Sequence, residues 1–148
     1  METRIVPSGF RLMSSEYPEL PKNYVPRFST IRLHACTPLD GQWVRPVTSI
    51  SGVEILLQRM GKSKKMRLAP VSVRDYFVKN PRRIPKRWKG KTIFFGADTF
   101  QWFDRSNGEC HCYHMVPGMK QSGTEWLHVY REKLASFTPD DYLAVCIL

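Results

Sequence analysis

The feature that most constrains the fold is a change of pattern at Lys91. Beyond it the chain is written in β-strand code. Thr92 to Phe95 is β-branched and aromatic. Thr99 to Asp104 and Glu109 to Val116 flank Arg105-Ser106-Asn107-Gly108. Asn-Gly is the strongest short hairpin signal, because a tight turn between twisted strands needs positive φ at its centre. Met119 to Gly123 reads as a loop. Glu125 to Tyr130 then alternates Trp126, His128 and Tyr130 against Leu127 and Val129. Asp140-Asp141 suits a turn, and Tyr142 to Leu148 is an apolar last strand. The expectation for residues 92–148 is an antiparallel β-meander of about four strands.

The residues before Lys91 divide in two. Residues 1–27 hold Pro7, Pro18, Pro21 and Pro26, which exclude long regular elements and predict an extended arm packed through Phe10, Tyr17 and Tyr24. Residues 28–91 form a strand and helix region. Phe28 to Cys36 places Ile31 and Leu33 on one face and Arg32 and His34 on the other. Asp40-Gly41 marks a turn, with Gln42-Trp43-Val44 a returning strand. Ser51-Gly52-Val53-Glu54 is a capping box, flanked by Ile50 and Ile55 at staple spacing. Val53, Leu56, Leu57 and Met60 make one apolar stripe, and Gly61 is a stop. A second helix of about two turns starts at Ser72-Val73-Arg74-Asp75 and ends at Asn80-Pro81. The predicted class is α+β: a single domain with one or two short helices packed on the C-terminal meander.

The 148 residues suit one domain, and a 42% apolar content suits a folded one. No apolar run approaches the roughly 20 residues that cross a bilayer. Met1-Glu2-Thr3-Arg4 lacks a signal-peptide core, and no C-x-x-C pair occurs. Reduced thiols in a cytoplasm are the expectation.

The charge is concentrated. Residues 59–91 hold thirteen bases and one acid, Asp75, for +12; the remainder holds ten bases and twelve acids, for −2. A block of one sign faces a partner of the other. The nearest expectation is nucleic acid, whose phosphates reward dense Lys and Arg through counterion release. The contact candidates are Lys64, Lys65, Arg82, Arg83, Lys86, Arg87 and Lys89, with Trp88 as a stacking residue. RNA or single strands are favoured over a groove-read duplex. Lys89-Gly90-Lys91-Thr92 lacks the aromatic of an RNP1 motif, and the two helices are too far apart for a helix-turn-helix. The competing reading is an interaction or inhibitor module that docks on an acidic or nucleoprotein partner. Against both stands the ordinary explanation. Arg59, Lys62, Lys64 and Lys65 follow a helix end that favours cations, and Trp88 would be core.

Pro85-x-x-Trp88-Lys89-Gly90-Lys91-x-Ile93-Phe94-Phe95 resembles a recurrent pattern in small uncharacterised bacterial proteins, many from candidate-phylum genomes. Ile31-Arg32-Leu33, the Ile50-to-Met60 helix, Val71-Ser72-Val73 and Leu143-Ala144-Val145 follow in matching order. Gly96-Ala97-Asp98-Thr99 departs from the more usual Gly-Thr step. The resemblance implies one compact bacterial domain and carries no catalytic residue.

Cys110-x-Cys112-x-His114 puts three potential ligands on one strand face, with His34-x-Cys36 and His128 elsewhere. Four such groups would suit Zn²⁺, but structural zinc favours C-x₂₋₄-C knuckles, so no metal or other cofactor is expected. The hairpin register matters. A two-residue Asn107-Gly108 turn pairs Phe103 with Cys112 and Trp102 with Tyr113. A three-residue loop pairs Trp102 with Cys112 and makes the thiols core residues. No Walker loop, H-E-x-x-H or deaminase motif is present. The expectation is a non-enzyme, with a metal-independent ribonuclease built on His and Arg as the minor alternative.

Overall fold

The computed structural model describes residues 9–13, 20–21, 24, 30–35, 65–105, 108–133 and 138–148. The capping-box helix, the Asp40-Gly41 turn and its following strand, Arg59, Lys62, Lys64, Cys36 and Asn107 lie outside them.

Alternation after Lys91 produces strands, but not a meander. Among the described residues the chain forms eight strands and one α-helix. The strands are β1 (Phe10–Leu12), β2 (Ile31–Ala35), β3 (Met66–Leu68), β4 (Thr92–Phe94), β5 (Phe100–Asp104), β6 (His111–Ser122), β7 (Glu125–Glu132) and β8 (Asp141–Ile147). The helix, α1, is Val71–Lys79. All eight strands belong to one sheet, ordered β1-β5-β6-β4-β8-β2, with β3 on β8 and β7 on β6. This corrects the expected helices on a four-stranded C-terminal meander. The last strand does not pair with the strand before it. It crosses to lie parallel to β4, with Ile93 opposite Tyr142, and antiparallel to β2 and β3. Three strands from before α1 therefore complete the sheet, and the proline-rich arm supplies one of them, pairing Phe10 with Trp102.

Strand β6 is the organising element. Its first half pairs with β5 and its second half with β4. The partner changes at Pro117, whose carbonyl accepts the Phe95 N–H at 2.8 Å. A residue's N–H and C=O share one strand edge, so the donor proline lacks would point at this break in the ladder. The interruption is what lets proline sit inside a long strand. The expected loop at Met119 to Gly123 is instead strand as far as Ser122. The two-residue turn Gly123-Thr124 follows, with Ser122 opposite Glu125 and Gly123 at φ +63°.

One face of the sheet carries Met119, Ile93, Ala144, Cys146 and Ile31. α1 and the following segment close it with Val73, Phe77, Ile84 and Trp88. The other face buries Leu68, Phe94, Val116, Leu143 and Val145. Ile31 pairs with Cys146 and Leu33 with Ala144, so the expected faces of β2 are the observed ones. The Asp140-Asp141 turn also forms: the Asp141 carboxylate accepts the Thr138 N–H at 2.6 Å and binds Arg131.

Candidate nucleic-acid interface

The basic block separates into a buried part and an exposed part. Where α1 ends, the Asn80 side chain donates to the Tyr76 carbonyl at 2.8 Å. Two single 3-10 turns follow, Pro81–Arg83 and Lys86–Trp88. Ile84 between the turns and Trp88 at the end of the second point inward. Trp88 is 1% exposed and meets the Phe77 ring edge-on at 5.4 Å. Proline at positions 81 and 85 fixes φ at the start of each turn. The alternation of anchor and cation leaves Arg82, Arg83, Lys86, Arg87 and Lys89 exposed beside Lys79. Lys91 folds back, donating to the Arg87 carbonyl at 2.5 Å with its ammonium 5.3 Å from the Tyr142 ring centre.

Residues 79–91 thus hold seven bases and no acid. Among the described residues no carboxylate forms an ion pair with Lys79, Arg82, Arg83, Lys86, Arg87 or Lys89. The described carboxylates therefore do not neutralise these positions. Lys65 is exposed at the start of β3. Trp88 is where the expectation fails. With both ring faces enclosed it is a core anchor, and no base can stack on it.

The aromatics that do reach the surface come from the hairpin. Trp102 is 37% exposed and stacks on Tyr113 at 5.4 Å, and Phe10 lies behind it at 6.4 Å. The register is the one a two-residue turn sets, with Phe103 opposite Cys112 and Trp102 opposite Tyr113. Cys110, Cys112 and His114 consequently face solvent instead of the core. No group of three or more His, Cys, Asp or Glu side chains among the described residues is placed to hold a metal ion. His111 instead pairs with Glu109 at 3.1 Å on the surface.

The buried part of the block is a polar cluster between α1 and β7 that the sequence pattern does not flag. Arg74 is 0% exposed, and its Nε donates to Asp75 Oδ1 at 3.1 Å. The guanidinium lies over the Tyr130 ring, 5.1 Å from its centre. His128 Nδ1 stands 3.8 Å from Asp75 Oδ1. Burial, and then the Arg74 charge, hold His128 below its ordinary pKa, with Asp75 pulling the other way. Burial raises Tyr130, while Arg74 opposes that rise from outside good hydrogen-bond geometry. The one acid of the block is thus spent internally on one of its bases.

Compared with protein-family models, curated proteins and solved structures, the chain matches none. No helix among the described residues is long and apolar enough to cross a membrane.

Proposed function

We propose that this protein binds nucleic acid, without chemistry of its own, through the exposed cations Lys79, Arg82, Arg83, Lys86, Arg87 and Lys89. The observation that carries the reading is their lack of carboxylate partners among the described residues, at the end of α1 and on the turns pinned by Ile84 and Trp88. An unpaired cation retains its full interaction with a phosphate, and a pinned turn loses little further backbone freedom on binding. Apart from Lys79 at the end of α1, the cations sit on or beside short turns, with no long helix among them to enter a major groove. This favours backbone contact on RNA or single strands over reading of duplex sequence.

The test is fluorescence anisotropy with mixed-sequence single-stranded RNA and DNA across a salt series. Four to six phosphate contacts give a slope of log K against log[salt] of about −3 to −4 on single strands. Reversing Arg82, Arg83, Lys86 and Arg87 to Glu should abolish binding while leaving the circular dichroism spectrum unchanged. Absence of binding to any oligonucleotide at low salt refutes the proposal and leaves an acidic protein as the partner to seek.

A further inference from the structure

A fully buried arginine with unmade hydrogen bonds is rare in a folded domain and calls for a reason. Arg74 uses Nε on Asp75, but Nη1 and Nη2 have no hydrogen-bond acceptor among the described residues. Two more buried polar atoms close by also make no hydrogen bond among the described residues, Tyr130 Oη and His128 Nδ1. They belong to alternate residues of β7 and therefore share the sheet face that α1 covers. The cluster is rich in donors: a guanidinium carries five N–H groups and accepts nothing, and a tyrosine and an imidazole add one each. One carboxylate, Asp75, faces them. What the cluster lacks is an acceptor with several oxygens.

We infer that Arg74, His128 and Tyr130 form a binding site for a phosphate group. A tetrahedral oxyanion presents enough oxygens for both Nη atoms, the tyrosine hydroxyl and the imidazole at once, whereas a carboxylate presents two. Asp75 holds the guanidinium by its Nε and leaves the Nη edge for the ligand. The His128 side chain is 25% exposed and Asp75 only 3%, so the phosphate enters past the imidazole. The site is distinct from the exposed cations, since none of Lys79, Arg82, Arg83, Lys86, Arg87 or Lys89 takes part in it. It therefore stands or falls apart from the nucleic-acid reading. The phosphate belongs either to a small phosphorylated compound or to the terminus of a nucleic acid.

Isothermal titration of the full chain with inorganic phosphate at constant ionic strength tests the site. Saturable binding is expected, weakened tenfold or more in both Tyr130→Phe and His128→Gln. Tyr130→Phe keeps the ring that packs on Phe10 at 4.7 Å and Phe100 at 5.3 Å, so the fold is retained. Reversal of Arg82, Arg83, Lys86 and Arg87 should leave this binding in place. Competition by a 5′-phosphorylated oligonucleotide, but not by its 5′-hydroxyl twin, identifies a nucleic-acid end as the source. No competition by either assigns the site to a free phosphate compound. A titration without saturable heat, or equal affinity in the wild type and both variants, overturns the inference.

Discussion

Gly118 lies under the Phe94 ring. A Cβ built on it would stand 2.8 Å from the Ile93 carbonyl oxygen and 2.9 Å from Phe94 Cδ1. The first of these neighbours is backbone in β4 and cannot swing away. Gly118→Ala should therefore cost about 1–3 kcal/mol, the range of core overpacking, read as a lower urea midpoint. Cys146 is constrained by burial in another way. Desolvation raises its thiol from 9.0 to about 11, partly offset by the Tyr24 hydroxyl. Burial likewise raises Tyr24 from 10.0 to about 12. A folded pKa above the unfolded one means that the unfolded chain releases its proton first as pH rises. The stability linked to Cys146 is thus complete below pH 9.0 and is lost progressively toward about 11. Urea midpoints should fall across that window, and Cys146→Ala should flatten the slope whatever its own cost. At this scale the sequence places Ile31 and Leu33 on one face, because period-two alternation needs only the local register. The face of Cys112 is open between two hairpin registers until Phe103 is seen to pair with it. The sequence also leaves Trp88 open between stacking and core, because an indole beside guanidinium groups has the same spelling in either role.

The short helix α1 carries no local cap at its N-terminus. Its N-cap position is Pro70, with no side-chain hydrogen bond, although Ser72 is the start signal in the sequence. The cap comes from 27 residues away: the Val71 N–H donates to the buried carboxylate of Asp98 at 2.7 Å. The Ala97 N–H reaches the Ala69 carbonyl beside it at 3.3 Å. The Gly96-Ala97-Asp98-Thr99 step that separates β4 from β5 is thus also the latch of the helix. Asp98→Ala should destabilise the domain by about 1–3 kcal/mol, since it removes a buried acceptor and leaves a donor unmade. Hydrogen exchange at the first turn of α1 should rise with it. The element boundaries show the same division. Helix and strands after Ser72 are legible from their periods, while the continuation of β6 through Pro117 is not. A proline argues against a central strand unless the ladder is known to break there, and only β4 and β5 together make that break.

The whole molecule carries a charge of +10, concentrated where carboxylates are absent. Such a surface repels itself, and salt screens the repulsion over about 10 Å at 0.1 M. The melting temperature should therefore rise between low and moderate sodium chloride. Replacing Arg82, Arg83, Lys86 and Arg87 with Glu changes the charge by −8, from +10 to +2, and should largely remove that rise. A salt response identical in the wild type and the variant would mean that the cluster is not self-repelling. The sequence by itself determined the charged block, the antiparallel pairing of the two strands that flank Arg105-Ser106-Asn107-Gly108, the short helix and the faces of β2. These depend on spacing along the chain, which local sterics and solvation read directly. Only the tertiary structure decided that β8 runs parallel to β4, that β1, β2 and β3 join the same sheet, and that Asp98 caps α1. It also decided which cations of the block face water and which one is buried with Asp75. These are pairings between residues far apart in sequence. They are selected by how the completed sheet buries its two faces and satisfies its backbone, and no local pattern encodes that sum.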